Sequence, residues 1–195
     1  MKNILACLAL ALPLLAFAAD PVALSIKPLA EKKVEQLPEV NLYWRIENVP
    51  TLAAAQAATG QWGLAAESGG KVWLFTLGAA GGSSGAGTKV AEVGPIPRIE
   101  AKQFLLRINE ARGAPGAVTS VHSHPGSEAF YVLTGEQSIQ GPNGTLKVQA
   151  NQPAAGNGAD VAMRVSSSGT VDLHSLVMFV VDAHRPFSTP AKLDK

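Results

Sequence analysis

The chain has 195 residues, of which 16 are Lys or Arg and 15 are Asp or Glu, so its net charge at pH 7 is +1 when the histidines are neutral. A nearly neutral chain without a cluster of basic residues lacks the electrostatic footprint of proteins that bind nucleic acid or an anionic membrane. Low charge together with 19 Gly and 13 Pro favours strands joined by turns over a helical bundle. Composition therefore predicts an all-β fold and argues against a nucleic-acid partner.

The first 19 residues are typical of a secretory signal peptide. Lys2 precedes an apolar run over residues 4–17, and the run ends in small residues that include Ala16, Ala18 and Ala19. This order of a positive region, a short apolar core and an Ala-x-Ala site predicts cleavage after Ala18 or Ala19. We expect a mature protein that is periplasmic or secreted, has no membrane span and lacks cysteine, because the chain's one cysteine lies in this segment.

The first half of the mature chain is predicted to combine an extended segment with short elements. Residues 20–40 are expected to form an extended arm with a short helix over residues 30–37, which Pro38 ends. The next elements are predicted to be a strand over residues 41–49, a short helix over residues 51–58 capped by Thr51, and a strand over residues 72–77.

The second half is predicted to consist of strands and tight turns. Residues 128–133 alternate, so that Glu128, Phe130 and Val132 share one face of a strand. Further strands are predicted over residues 103–108, 137–140, 145–149, 162–165 and 173–181. Strands at intervals of roughly 8 to 12 residues indicate a β-sandwich or a β-barrel.

The histidines and one glutamate of a single segment form a candidate metal site. His122 and His124 are two residues apart, and Glu128 follows four residues after His124. Side chains two apart on a strand point to the same face, so both imidazoles are expected to aim at one point. Two histidines and one carboxylate on one side of an ion leave other coordination positions open, which is an arrangement typical of catalysis.

The segment resembles the first motif of the cupin superfamily, Gly-x5-His-x-His-x3-Glu-x6-Gly. All five fixed positions are filled, namely by Gly116, His122, His124, Glu128 and Gly135. The resemblance implies a cupin jelly-roll β-barrel with a short N-terminal arm and one or two short helices. It also implies that His122, His124 and Glu128 bind one divalent metal ion, which would be Fe, Mn, Cu or Zn.

The expected organisation is a single cupin domain, because no second His-x-His motif occurs. The predicted segments are the signal peptide over residues 1–19, the arm and short helix over residues 20–60, and the barrel over residues 61–195.

The second cupin motif, which normally supplies a further His ligand, is altered in this chain. It corresponds to residues 150–167, where Pro153 and Gly156 remain but no His occurs. The fourth position is expected to hold Met163, whose thioether would suit copper, or Asp160, whose oxygen would suit iron or manganese. The sequence leaves both candidates open.

The function implied by the resemblance is a metal-binding cupin that acts on a small molecule. One interpretation is a mononuclear, metal-dependent oxidoreductase similar to the dioxygenases of the superfamily. The alternative is a non-catalytic cupin that binds or senses a small molecule. Arg107, Tyr131 and Arg164 are candidates for binding an anionic substrate at the barrel mouth, and a homodimer is a further expectation.

Overall fold

The computed structural model of the protein describes residues 22–193, so the predicted signal peptide lies outside the described residues. No helix in this part of the chain is long and apolar enough to cross a membrane. The elements, in chain order, are β1 (Ser25–Val34), β2 (Tyr43–Val49), α1 (Leu52–Ala57), β3 (Gly63–Ser68), β4 (Lys71–Gly78), β5 (Thr88–Val93), β6 (Phe104–Gly113), β7 (His122–Ser123), β8 (Gly126–Thr134), β9 (Glu136–Gly141), β10 (Gly144–Gln149), β11 (Pro153–Ala155), β12 (Arg164–Ser167), β13 (Leu173–Asp182) and β14 (Thr189–Pro190).

The predicted all-β jelly roll is confirmed. A five-stranded sheet with the order β1-β6-β13-β8-β11 faces a smaller sheet with the order β10-β9-β12, and the short pair β14-β7 lies beside them. All strand pairs in these sheets are antiparallel. Apolar side chains from both sheets fill the barrel interior, including Phe130, Ile139, Val165 and Phe179.

The central strand β13 is apolar on both faces because both faces of its sheet are covered. Val177, Phe179 and Val181 point into the barrel interior, whereas the alternating residues Met178 and Val180 belong to a second apolar cluster on the outer face. Such a strand reads as a continuous hydrophobic run in the sequence.

A third layer covers the outer face of the barrel. The strands β3-β4-β2-β5 form a four-stranded antiparallel sheet. Trp44, Trp73 and Phe75 of this sheet are buried in one cluster with Leu106 and Tyr131 of the barrel. The layer is a substantial part of the core, and we call it the outer sheet.

The predicted extended conformation within residues 20–40 is confirmed for residues 25–34, whereas the short helix predicted over residues 30–37 is wrong. Residues 25–34 form β1, an edge strand that pairs with β6 and contains a register shift after Pro28. No helix forms over residues 30–37; residues 35–42 connect β1 to β2 without regular structure. Good helix formers are held in an extended conformation by pairing with β6, because tertiary context overrides weak intrinsic preference.

The predicted boundary at residue 60, between the arm with its short helix and the barrel, divides the strands of one sheet. Strand β2 lies before it, yet β2 pairs with both β4 and β5, which lie after it. The predicted short helix is confirmed as α1, where the hydroxyl of Thr51 accepts a hydrogen bond from Ala54 N at 3.2 Å.

Candidate metal and ligand site

The first-motif residues line one cavity inside the barrel. His122, His124 and Glu128 contribute to its wall, which encloses about 470 Å³. His122 begins the two-residue strand β7, and Glu128 lies in β8 on the same face as Phe130. The predicted alternation of β8 and the shared orientation of the two histidines therefore bring the three side chains to one cavity.

Both imidazole rings are fixed by backbone carbonyl groups. His122 Nδ1 lies 2.9 Å from the carbonyl oxygen of Ser120, and His124 Nδ1 lies 2.7 Å from that of Phe187. A carbonyl oxygen only accepts, so each Nδ1 carries the proton and donates it. In the neutral rings Nε2 then has the free lone pair, and neither Nε2 has a hydrogen-bond partner within residues 22–193.

The separation of the rings is compatible with a shared ion. Their centroids are 5.0 Å apart and their planes are inclined by 81°. A first-row metal ion lies about 2.1 Å from an imidazole nitrogen, so two rings that share one ion have centroids roughly 5 Å apart. Metal-binding histidines commonly donate their other ring N–H to a backbone carbonyl group, as both of these rings do.

The environment of His124 keeps its ring neutral. Its imidazole packs against the rings of Phe179 and Phe187, with centroid distances of 4.8 Å to each. Burial lowers the pKa of His124 to about 4, and the positive charge of Arg107 contributes in the same direction. A neutral imidazole is the form that coordinates a metal.

Glu128 is a buried carboxyl group with little hydrogen bonding. Its side chain is almost fully buried, and the nearest donor to Oε1 is the backbone N–H of Asn157 at 3.5 Å. Burial raises the pKa of Glu128 to about 8. The side chain packs over Gly156, where a Cβ would lie 2.5 Å from Glu128 Cγ. The glycine that survives from the second motif therefore makes room for this carboxyl group.

The side chains of His122, His124 and Glu128 do not lie as close together as the ligands of one bound ion would. Within residues 22–193 no group of three or more His, Cys, Asp or Glu side chains is close enough to hold a metal. The types of donor, the tautomers and the shared cavity fit a metal ion.

The structure separates the two candidates for the fourth position. The Asp160 carboxylate forms a double hydrogen bond with Arg185, at 2.6 and 3.0 Å, and about half of its side-chain surface is exposed. Asp160 does not line the cavity, and ligation by its carboxylate stays a prediction. Its backbone N–H instead donates to the carbonyl of His124 at 2.8 Å.

Met163 is the cross-strand neighbour of His122. The two residues exchange backbone hydrogen bonds of 2.8 and 3.0 Å, so their side chains lie on the same face. The Met163 side chain is buried in the apolar barrel interior and does not line the cavity. Its sulfur lies 4.0 Å from Asn157 Nδ2. Ligation by the Met163 sulfur stays a prediction.

Of the three predicted substrate-binding residues, only Arg107 lines the cavity. Tyr131 points to the outer face of the sheet, where its ring packs edge-on against Trp73 at a centroid distance of 6.0 Å. Arg164 is exposed and donates to Gln140 at 2.7 Å. Strand alternation therefore directs the side chains of Tyr131 and Arg164 away from the cavity.

Sequence reasoning missed the contribution of the C-terminal segment. Phe187 lies just before β14 and supplies both a ring and a carbonyl group to His124. Phe179 of β13 completes this aromatic contact, since its ring lies 4.9 Å from that of Phe187. A single phenylalanine after a turn carries no signal in the sequence that would connect it with a motif about 60 residues earlier.

The likenesses of this chain to known proteins are partial and come from solved structures. No family model matches the chain, and no curated protein matches it. Among solved structures it is similar to a cupin-like protein from Thermotoga maritima, with 17% identity, a TM-score of 0.40, and coverage of 45% of this chain and 65% of that one. A Klebsiella pneumoniae protein with a double-stranded β-helix domain has 20% identity, a TM-score of 0.38, and coverage of 45% and 75%.

A polyketide cyclase from Streptomyces resistomycificus is also similar, with 19% identity, a TM-score of 0.37, and coverage of 46% of this chain and 63% of that one. Each of these likenesses covers less than half of this chain, and the chain spans 65% of the Thermotoga maritima protein. The strand order of the barrel establishes the fold.

Proposed function

We propose that this cupin-fold protein binds one divalent metal ion through His122, His124 and Glu128 and binds a small molecule in the adjoining cavity. The observation that carries the proposal is the pair of carbonyl groups that hold both Nδ1 atoms, because they leave two Nε2 lone pairs in one cavity. The bound ion would supply a Lewis acid with open coordination positions.

The chain's own residues prepare the site for this role. Phe179 and Phe187 exclude water from the His124 ring, and the carbonyl of Phe187 keeps its proton on Nδ1. Glu128 is the only Asp or Glu that lines the cavity within the part of the chain the structure describes. Together with the two histidines it would give a site of two nitrogens and one oxygen.

Metal content tests the proposal. Metal-free protein, loaded in turn with Fe²⁺, Mn²⁺, Cu²⁺ and Zn²⁺ and then desalted, is expected to retain about one ion per chain with at least one of them. His122→Ala is expected to retain less than about 0.1 ion per chain while its circular dichroism stays unchanged, because an open site is not the main source of folding energy. Elemental analysis measures both.

The matched control is His184→Ala. His184 is exposed, with Nδ1 3.8 Å from Asp182, and lies outside the cavity, so its loss should leave the metal content unchanged. Glu128→Gln should weaken binding, which distinguishes a three-ligand site from a site of two histidines. Wild-type protein that retains no ion, or equal loss in His122→Ala and His184→Ala, would contradict the proposal. Dioxygen uptake by the iron-loaded protein then separates an oxidoreductase from a binding protein.

A second prediction concerns the altered second motif. Met163→His places a third imidazole on the face of His122 and is expected to tighten metal binding about tenfold, or about 1.4 kcal/mol. It should also lower the melting temperature of the metal-free protein, because it buries a polar ring among apolar side chains. Isothermal titration and thermal unfolding measure the two effects separately.

Met163→Leu is the control for this substitution, since it preserves an apolar side chain of similar volume and should change neither property by much. A melting temperature that falls without any gain in metal affinity would show that the side chain at position 163 does not reach the ion.

A further inference from the structure

We propose that Arg107 is the anion receptor of the cavity and that the small molecule is a carboxylic acid with an apolar body. The inference deepens the proposed function, because it concerns the ligand of the same cavity. It depends on the position of Arg107 and on the walls of the cavity, so it can be tested with and without metal.

The walls of the cavity favour an apolar ligand body. Apolar side chains from β1, β8 and β13 line it, together with the ring of Phe187. The volume of about 470 Å³ lies within the usual range of small-molecule sites. Apolar walls of this kind bind hydrocarbon or aromatic groups and leave orientation to a few polar groups.

Arg107 is directed into the cavity by its strand and by its neighbours. It shares the inner face of β6 with Asn109 and Ala111, which also line the cavity. Arg107 Nε donates to Asn109 Oδ1 at 2.9 Å, and the guanidinium carbon lies 4.2 Å from the centre of the Phe187 ring. Stacking and hydrogen bonding both fix the plane of the guanidinium group, which reduces the entropy lost when it binds a ligand.

The charge of Arg107 is only weakly compensated. Its side chain is 18% exposed, whereas its ionic partner Glu31 is 55% exposed and lies 3.5 Å from Arg107 Nη1. Of the five N–H donors of a guanidinium group, Asn109 takes the one on Nε. The two Nη atoms therefore keep donors for a carboxylate, the anion that matches the planar geometry of arginine.

Arg107 is also the only Lys or Arg among the described residues that line the cavity. The Phe187 ring contacts both the Arg107 guanidinium group and the His124 imidazole. A carboxylate bound to Arg107 would therefore hold the adjacent carbons of the acid close to the histidine pair. Because Glu31 competes for the same guanidinium group from the exposed rim, its removal should strengthen ligand binding.

Calorimetric binding of octanoate and 4-phenylbutyrate, each compared with its neutral amide, tests this inference in metal-free and metal-loaded protein. We expect the acids to bind more tightly than the amides, and Arg107→Met to weaken binding of the acids roughly 10- to 100-fold with little effect on the amides. Arg164→Met is the matched control, since this exposed arginine lies outside the cavity. It should leave the affinities unchanged.

Glu31→Gln is a second test variant, and it removes no core contact because the Glu31 side chain is exposed. It is expected to raise the affinity for the acids several-fold, because a competing carboxylate is lost. Equal affinity for acids and amides in the wild type, or equal effects of Arg107→Met and Arg164→Met, would overturn the inference. If Arg107→Met does not fold, Glu31→Gln still tests the inference. Unchanged or weaker binding of the acids by Glu31→Gln would then overturn it.

The two proposals fail in different ways. A protein that prefers acids over amides but retains no metal would overturn the metal site and leave the role of Arg107 intact. A protein that retains metal through His122 but shows no preference for acids would overturn the role of Arg107 alone.

Discussion

Replacing Trp73 with alanine is expected to lower the free energy of unfolding by about 3 to 5 kcal/mol, the range observed for large aromatic residues in protein cores. Trp73 lies in β4 of the outer sheet and is 2% exposed. Its ring packs edge-on against Tyr131 of the barrel, and its Nε1 donates to the carbonyl of Ser68 at 2.9 Å. The substitution opens a cavity at the centre of the contact between the outer sheet and the barrel.

Urea unfolding followed by circular dichroism measures this effect. Because the outer sheet and the barrel share one apolar cluster, we expect a single transition in both wild type and variant. Trp62→Ala is the control, since Trp62 is only partly buried at the edge of the same cluster and should cause a smaller loss. A loss below about 1 kcal/mol for Trp73→Ala, or two separate transitions, would show that the outer sheet folds independently of the barrel.

The strands that carry the candidate site could be predicted from local sequence. Strand β8 alternates regularly, so the inward direction of Glu128 and Phe130 followed from period-two patterning. The two-residue spacing of His122 and His124 likewise predicted a common face. These features depend on the geometry of a single strand, which does not change with the tertiary environment.

Features that depend on pairing between distant strands could not be predicted. Strand β3 contains no β-branched or aromatic residue, and it forms because β4 lies beside it. The surroundings of Tyr131 could not be predicted for a related reason. Its parity on β8 was correctly predicted, but the sequence did not reveal that a further sheet covers that face.

A buried polar cluster joins the outer sheet to the barrel and also lay beyond sequence reasoning. Glu110 Oε1 accepts hydrogen bonds from Ser68 Oγ at 2.5 Å, from Arg112 Nη2 at 2.9 Å and from His174 Nε2 at 2.9 Å. Ser68 lies on β3, whereas Glu110 and His174 lie on the barrel strands β6 and β13. Ser68, Glu110 and His174 are between 42 and 106 positions from one another in the chain, so only the fold brings them together.

This cluster makes stability depend on pH. The hydrogen bond and charge of Arg112, with the bonds from Ser68 and His174, lower the pKa of Glu110 to about 2 from its ordinary 4.5. A carboxyl group whose pKa is lower in the folded protein stabilises the fold above pH 4.5, and that stabilisation is lost as the pH falls toward 2. The change in pKa corresponds to about 3 kcal/mol at most. Burial also lowers the pKa of His174, so protonation of this ring below about pH 6.5 acts in the same direction.

Glu110→Gln is therefore expected to cost about 2 to 3 kcal/mol at pH 7 and to flatten the dependence of stability on pH between 4.5 and 2. The decline below about pH 6.5 should persist, because His174 remains and its pKa is lowered by burial. Asp160→Asn is the matched control: it also converts an ion-paired acid to its amide, but the pair with Arg185 is about half exposed, so its loss should cost less than about 1 kcal/mol. Urea unfolding at a series of pH values measures both variants. The prediction is contradicted if the stability of Glu110→Gln falls between pH 4.5 and 2 as steeply as that of the wild type. Other carboxyl groups, and not this buried one between the outer sheet and the barrel, would then control the acid sensitivity of the fold.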